Sequence, residues 1–392
     1  MSSKRAIRGG AVVIILLVLF SGVYANGLTG GRGLTYVKSA WNLKPGYLTM
    51  LARSQVWGKV VSKNLPTTTS SIGVWDIQGA LSFSYGFSNH IEMSIAPIVY
   101  QDTQRGEKKY MAPGDLYLGL KFGSYNIKGT SLTWGVSVNS RFPTGKEANI
   151  QFEPYSAGTV EWGFLGMLSY SRDPLYPEES LNVDFNLGYI NHNDVGEKLS
   201  GNENDPYGVP SMTQEFLFGA GVKIPANGFD FSLELFGNSF IQKPPKETAY
   251  SVENYLFLTP TISYQAYRWL NLRVGADFRL TSDKDETTYQ FISHSDDLPN
   301  YPGWRLNFGM NLLLLPVSAY KTSDKDVLIK KAESRRELFE QIIREQKETE
   351  SAEEELQRIK EERRKAEREL ERLRKILEGE KKKPTKQPPP QP

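Results

Sequence analysis

The chain has 392 residues and a formal net charge of +2, with 47 basic and 45 acidic side chains. This balance gives no electrostatic reason to expect nucleic-acid binding. The absence of cysteine excludes disulfides, thiol nucleophiles and thiolate metal sites. The content of 34 Gly, 20 Tyr, 19 Phe and 7 Trp favours an all-β envelope protein over a helical one.

Residues 1–25 have the features of a secretory signal peptide. Three basic residues precede the apolar run "AVVIILLVLF", and "VYA" supplies small residues for cleavage after Ala25. The run is about half the length that a membrane-spanning helix requires. We therefore predict a mature chain that starts near residue 26, with residues 26–45 as an N-terminal segment in the periplasm.

Residues 46–320 contain twelve runs of period-two alternation that predict strands. The runs lie at about 46–57, 73–85, 90–101, 113–123, 129–141, 156–170, 181–192, 211–224, 229–238, 254–265, 269–281 and 304–315. Long polar connections such as "NDVGEKLSGNENDPYGVP" alternate with tight turns such as "GFSN". This alternation is typical of an up-and-down transmembrane barrel with short periplasmic turns and long external loops.

The stretch "SFSYGFSNHIEMSIAPIVY", residues 82–100, shows which side of the sheet should meet water. In a soluble β-sandwich its polar residues would face solvent outside. The strands, however, are about 10 to 13 residues long, which matches a tilted bilayer crossing, and closure removes edges that lipid cannot satisfy. We predict a 12-stranded antiparallel β-barrel in the outer membrane of a Gram-negative-type bacterium, with the polar face lining the lumen.

Charged residues on the polar faces are the candidate lumen-lining set. They are Glu92, Asp115, Lys121, Arg141, Glu161, Asp184, Glu215, Asp230, Glu234, Arg273, Asp277, Arg279 and Arg305. Acids and bases are mixed, so they can form a salt-bridge network that fills the interior or a polar path through it. The sequence alone leaves both interpretations open.

An outer-membrane phospholipase is the enzymatic alternative, because that class uses His, Ser and Asn in a 12-stranded barrel. The chain has three histidines, His90, His192 and His294. His192 lies at the outer end of a strand, but Asp194 stands where that family has serine. We therefore expect no enzyme activity, and the sequence shows no metal-ligand cluster or cofactor-binding motif.

Three motifs between residues 78 and 147 carry a family resemblance: "FSYGFSNHIEMSIAPIVY", "APGDLYLGLKF" and "LTWGVSVNSRFPTGKE". They resemble the hairpin pattern of the outer-membrane transporters grouped with the MetA pathway of phenol degradation. The resemblance implies a channel for hydrophobic or aromatic compounds. The charged segment that follows the barrel departs from the usual pattern of that family.

Residues 326–379 predict one long helix, because they contain no proline and more than half of them are charged. A heptad places apolar residues along one narrow stripe: Leu338, Ile342, Ala352, Leu356, Ile359, Ala366, Leu370, Leu373 and Leu377. The stripe predicts a coiled coil, and the alternative is a solitary helix held by ion pairs four residues apart. Residues 380–392 predict a disordered, basic and proline-rich tail.

Two functions are compatible with this organisation. The first is an outer-membrane channel or transporter for small solutes, including hydrophobic ones. The second is a structural envelope protein whose barrel anchors a periplasmic coiled-coil stalk that contacts the cell wall or partner proteins. The expected partners are outer-membrane lipid, a second copy of the helix and periplasmic components, with no nucleic acid.

Overall fold

The computed structural model describes residues 27, 29–64, 69–104, 109–282, 285–292, 298–318 and 324–380. The strands are β1 (Leu48–Asn64), β2 (Thr69–Gly86), β3 (Ile91–Gln104), β4 (Lys109–Ala112), β5 (Leu116–Asn126), β6 (Leu132–Phe142), β7 (Glu161–Ser171), β8 (Asn182–Asn191), β9 (Gln214–Ala226), β10 (Phe229–Gln242), β11 (Leu256–Tyr267), β12 (Leu270–Arg279) and β13 (Trp304–Leu315). One long helix, α1, spans Asp324–Glu380. The predicted signal peptide and the tail beyond Glu380 lie outside the described residues.

The strands close into an antiparallel barrel. Along the ring each strand pairs with its sequence neighbour, and β1 pairs with β13 to complete the circle. β4 pairs with the outer part of β3 and adds a short strand beside the ring of twelve. The predicted 12-stranded barrel is confirmed, and each predicted strand overlaps an observed one, although β1 continues to Asn64, well beyond its predicted end at residue 57. The sequence pattern did not indicate β4, which is only 4 residues long.

The two faces of the barrel divide as the alternation predicts. Ser82, Ser84 and Glu92 are each 1% exposed, on the inner face. Phe164 and Leu187 are 52% and 60% exposed, on the outer face. An apolar outer surface of this kind is stable against hydrocarbon and unfavourable against water, which matches a barrel placed in a bilayer.

The connections define two different rims. The short-turn rim contains residues 87–90, 127–131, 172–181, 227–228 and 268–269, and β1 begins and β13 ends there. The opposite, long-loop rim contains the end of the β1–β2 hairpin, β4 with residues 113–115, and the described residues of 143–160, 192–213, 243–255 and 280–303. The predicted alternation of short and long connections is confirmed except between β1 and β2, which extend beyond their predicted ends and leave only residues 65–68 between them.

Four of the long connections pack together, and we call their described residues in 143–160, 192–213, 243–255 and 280–303 the loop cap. One apolar cluster joins Phe152 and Leu298 of the cap to Trp57, Val61 and Val74 of the β1–β2 hairpin. β1 and β2 can supply these residues because their mutual pairing runs to Asn64–Thr69, whereas the pairing of β1 with β13 ends at Val56–Leu306.

A second apolar cluster lies within the cap itself. It consists of Tyr155, Leu199, Val209, Ala249 and Val252, which are between 0% and 9% exposed. The long loops thus have a small core of their own, so they form an ordered layer across this rim.

The described residues from Lys325 to Glu380, all within α1, form a unit separate from the barrel. The helix has 57 residues, which corresponds to about 85 Å at 1.5 Å per residue. Arg336–Glu340 and Arg363–Glu367 ion pairs, at 2.9 and 3.1 Å, support it along its surface. No helix in the described part of the chain is both apolar enough and long enough to cross a membrane.

The helix predicted at 326–379 is confirmed, and its self-association stays a prediction. Leu356, Ile359 and Leu370 of the apolar stripe are 53%, 62% and 66% exposed in the single chain.

Candidate functional site

The interior of the barrel holds a segment of the chain that the sequence did not place there. Residues 29–43, which we call the plug segment, run inside the barrel, and Val37, Ala40 and Leu43 are 1%, 0% and 0% exposed. The expectation that residues 26–45 form a periplasmic segment is therefore corrected over this stretch. The physical reason is that the polar inner wall offers hydrogen-bond acceptors to the backbone N–H groups of the segment, which turns back on itself between Gly33 and Lys38.

Glu234, on β10, binds the middle of the plug segment. Its Oε1 accepts a hydrogen bond from the backbone N–H of Thr35 at 2.8 Å. Its Oε2 accepts from the N–H groups of Tyr36 and Val37 at 2.7 and 2.8 Å. Glu234 is 0% exposed, and a buried carboxylate needs such donors because its desolvation is otherwise costly. A charged residue expected to line the lumen thus holds a turn of backbone.

Glu92, on β3, binds the two ends of the segment. Its carboxylate accepts from the N–H groups of Arg32 and Leu43 at 2.8 and 2.7 Å. Lys121, on β5, lies 3.1 Å from the same carboxylate and donates to the carbonyl of Trp41 at 2.9 Å. One ion pair of the wall therefore holds both the beginning and the end of the plug segment.

Neutral side chains complete the backbone recognition. Asn186 makes two bonds to Lys38, accepting from its N–H and donating to its carbonyl, each at 2.7 Å. Ser169 accepts from the N–H of Ala40 at 2.8 Å and itself donates to Asp184. Because most of these contacts are with backbone groups, the wall is complementary to the path of the segment more than to its side chains.

Glycines of the wall leave room for this path. A Cβ on Gly123 of β5 would lie 2.4 Å from the carbonyl oxygen of Ala40. A Cβ on Gly221 of β9 would lie 2.5 Å from Leu34 Cδ1. Part of the high glycine content thus has a steric explanation, since inward side chains at these positions would displace the plug.

Above the plug segment, towards the long-loop rim, the lumen contains a cavity of about 310 Å³. Its floor is formed by Tyr36, Val37 and Lys38 of the plug. Its upper wall includes Glu153, Tyr155 and Tyr301 of the loop cap. The cavity has the size of a small-molecule site and combines apolar walls with a few charged groups.

A chain of charged contacts crosses neighbouring strands at the level of the cavity. Arg141 lies 2.7 Å from Asp115 and 3.7 Å from Glu161. Beyond Glu161, His192 lies 3.0 Å from its carboxylate on one side and 3.2 Å from Glu215 on the other. The interpretation as an interior salt-bridge network thus holds for this part of the lumen.

His192 follows β8 at the long-loop rim, outside the membrane-spanning strands. Burial lowers the pKa of His192, but Glu161 and Glu215 outweigh burial and raise that pKa from 6.5 to about 10. The imidazole is therefore a cation at neutral pH, held between two carboxylates. The Nδ1 contact with Glu161 is out of line for a hydrogen bond, so it acts as an ion pair.

The loop cap is attached to this network. Tyr155 donates a hydrogen bond to Asp194 at 2.7 Å, and its carbonyl accepts from Arg141 Nη1 at 3.2 Å. Burial raises the pKa of Tyr155 well above its usual value, and the neighbouring Asp194 adds to the effect. Asp194, which stands where a phospholipase would have serine, therefore has a structural partner.

The remaining candidate lumen residues also face the interior. Arg305 pairs with Asp277 at 3.1 Å, and Asp277 also accepts from Tyr36 of the plug. Arg279 donates to the carbonyl of Tyr301 at 2.8 Å and so supports the loop cap. A smaller cavity of about 50 Å³ beside the plug is lined by polar residues that include Asp184, Asp230 and Arg273.

The histidines and acids give no metal site in the described part of the chain, where no group of three or more His, Asp or Glu side chains could hold an ion. His90 lies in a short turn, with Nδ1 2.9 Å from the carbonyl of Gly123. His294 lies outside the described residues.

No protein-family model matches the chain, and no curated protein matches it significantly. Among solved structures, it is similar to the NanC porin, with 11% identity and a TM-score of 0.42 over 67% of this chain and 98% of the porin. It is also similar to an outer membrane channel from Pseudomonas putida F1, with 13% identity and a TM-score of 0.41 over 70% and 98%. A third similar structure is the translocator domain of the autotransporter NalP from Neisseria meningitidis, with 10% identity and a TM-score of 0.36 over 69% and 89%.

Proposed function

We propose that the protein is an outer-membrane β-barrel channel for small solutes, and that the conformation described here is its closed state. The observation that carries the proposal is the cavity of about 310 Å³ inside the lumen, between the plug segment and the loop cap. A barrel that served only as a membrane anchor would need no such space. A channel needs a place where its solute can reside during passage.

Opening would require the plug segment to leave or rearrange, because residues 29–43 occupy the lumen below the cavity. The segment is bound by hydrogen bonds and not by a covalent link. Its contacts are concentrated on a few acceptors, of which Glu234 holds three amides and Glu92 holds two. Such an arrangement can be released as a unit, since the bonds to one carboxylate break together.

We further propose that the solutes include aromatic or otherwise hydrophobic compounds, as the resemblance to the MetA-pathway transporters implies. Tyr36 and Phe236 stack at 3.7 Å beside the cavity, and Phe236 stacks with Phe257 at 5.6 Å. Ile98 adds aliphatic surface to the same wall. This lining suits a planar apolar solute.

Planar bilayer conductance of the full-length protein tests the channel. We expect small, rare openings for the wild type and a larger conductance for Glu234→Ala, in which the plug segment loses an anchor. A variant that lacks residues 29–43 should conduct most. If the barrels insert, migrate as heat-modifiable species and stay silent in all three forms, the channel proposal is wrong.

The structural envelope function remains a second proposal, which the length and exposed apolar stripe of α1 favour. In it, α1 lies in the periplasm, self-associates and contacts the cell wall or a partner protein, with the barrel as its anchor. Deletion of residues 326–392 should then weaken resistance of cells to detergent while the barrel still assembles. Unchanged resistance in that strain would contradict this role.

A further inference from the structure

We propose that the cavity between the plug segment and the loop cap binds a small aromatic carboxylate, and that Lys38 and Arg53 are the cations of its wall that attract the anionic end. The inference rests on the proposed channel function and specifies the chemical class of its solute. It depends on two cations in the cavity wall that donate hydrogen bonds to neutral side chains, whereas the other cations contact carboxylates.

Most cations near the cavity are neutralised by acidic partners. Arg141 contacts Asp115 at 2.7 Å, and Arg305 contacts Asp277 at 3.1 Å. His192 lies between two carboxylates, as described above. These groups are already satisfied, so an anionic ligand would gain little from them.

Lys38 and Arg53 have neutral partners instead. Lys38 Nζ donates to the side-chain amide oxygen of Asn139 at 3.1 Å. Arg53 Nη2 donates to the amide oxygen of Gln78 at 2.9 Å. All four residues line the same cavity. Amide oxygens orient a cation without neutralising it, so both positive charges remain available to a ligand.

Arg53 also has donors that the described residues leave unused. Its Nε and Nη1 atoms are buried, and no acceptor in the described part of the chain bonds to them. Buried donors without partners are costly, and those on a charged group are costlier still. Both atoms are closed off from the cavity, so a carboxylate there acts on the guanidinium through its charge and not through these two donors.

The remainder of the wall suits an aromatic ring. Phe236 and Tyr36 present aromatic surface and Ile98 adds aliphatic surface, while Phe257, 1% exposed, packs behind Phe236. The volume of about 310 Å³ is roughly twice that of an engineered apolar cavity that accepts benzene. One ring with a carboxylate therefore fits, with space for a further small substituent.

Glu153, on the loop cap, limits the affinity. It lines the cavity and is an electrostatic neighbour of Arg53, although no ion pair joins the two side chains among the described residues. Its negative charge opposes an incoming anion. Removal of this charge should therefore strengthen binding, which is the opposite of the effect expected at Arg53.

Equilibrium dialysis of the full-length protein in detergent micelles, with labelled benzoate as the probe, tests the inference. Benzamide, which has the same ring without the charge, should bind at least tenfold more weakly than benzoate. Arg53→Gln and Lys38→Gln should each weaken benzoate binding roughly tenfold to a hundredfold, as expected for the loss of a charged hydrogen bond. Glu153→Gln should tighten it.

Lys128→Gln is the matched control, because Lys128 is an exposed cation in the turn between β5 and β6. It should leave benzoate binding unchanged. Equal binding of benzoate and benzamide by the wild type, or an unchanged benzoate affinity in both Arg53→Gln and Glu153→Gln, would overturn the inference. Heat-modifiable migration of each variant shows that its barrel is folded.

The outcome is separable from that of the channel proposal. Conductance in the form that lacks residues 29–43, without charge-dependent binding in the full chain, would retain the channel and refute the anion site. Charge-dependent benzoate binding by a protein that never conducts would retain the site and refute the channel.

Discussion

Replacement of Glu234 by alanine should loosen the plug segment more than any other single change in the lumen wall. The substitution leaves three buried N–H groups, of Thr35, Tyr36 and Val37, without their acceptor. At about 1–3 kcal/mol for each orphaned donor, the loss is about 3–9 kcal/mol. Water that enters the vacated space brings the value towards the lower end of this range.

Glu234→Gln should have an intermediate effect. One carboxylate oxygen becomes an NH2 group, so at least one amide of the plug then faces a donor in place of an acceptor. The expected cost is about 1–3 kcal/mol, which corresponds to roughly fivefold to a hundredfold in an opening equilibrium.

Hydrogen exchange measured by mass spectrometry on the intact protein reads this equilibrium directly. Amides 35–37 should exchange fastest in Glu234→Ala, more slowly in Glu234→Gln and slowest in the wild type. Asp230→Asn is the control, because Asp230 lies on the same face of β10, two inward positions away. Exchange at 35–37 that is the same in Glu234→Ala as in the wild type would refute the role assigned to this carboxylate.

Three further predictions follow from the other elements. Since the pKa of His192 is raised from 6.5 to about 10, its contribution to stability is complete below pH 6.5 and is lost as pH rises through 10. Thermal melting should therefore fall over this window in the wild type and less in His192→Gln, and parallel profiles would contradict the assignment. Gly123→Val should displace the plug at Ala40 and raise conductance while heat-modifiable migration persists, whereas a closed, folded variant would argue against the steric role of Gly123. A peptide of residues 324–380 should gain helicity with concentration by circular dichroism, and Leu356→Asp should abolish the gain; concentration-independent helicity would indicate a solitary helix.

The barrel could be predicted from the sequence because its signals are local. Alternation within β8 and β13 indicates both a strand and the face that it buries, and the alternating length of the connections indicates how the strands are joined. Whether each charged residue faces the lumen or the lipid follows from the same alternation. These inferences need no information about distant parts of the chain.

The plug segment could not be predicted in this way, because its contacts join residues that are far apart in sequence. The bond from Thr35 to Glu234 spans 199 residues, and the bond from Lys38 to Asn186 spans 148. The segment "TGGRGLTYVKSAWNL" has no periodicity that indicates burial. The wall residues nevertheless carried one indication of a buried segment. An inward carboxylate such as Glu234 requires several hydrogen-bond donors, and the neighbouring basic residues do not supply them.

The arrangement of the cavity links solute binding to plug position. Lys38 belongs to the plug segment and Arg53 to β1, so the proposed anion site is complete only while the plug is in place. A ligand that binds one of two states stabilises that state by RT ln(1 + [L]/Kd), which is about 2.7 kcal/mol at a hundredfold excess over Kd. Benzoate at that concentration should therefore slow exchange of amides 35–37 by roughly a hundredfold in the wild type and leave Arg53→Gln nearly unchanged. Faster exchange in the presence of benzoate would mean that the solute expels the plug, and that its site lies on the open path.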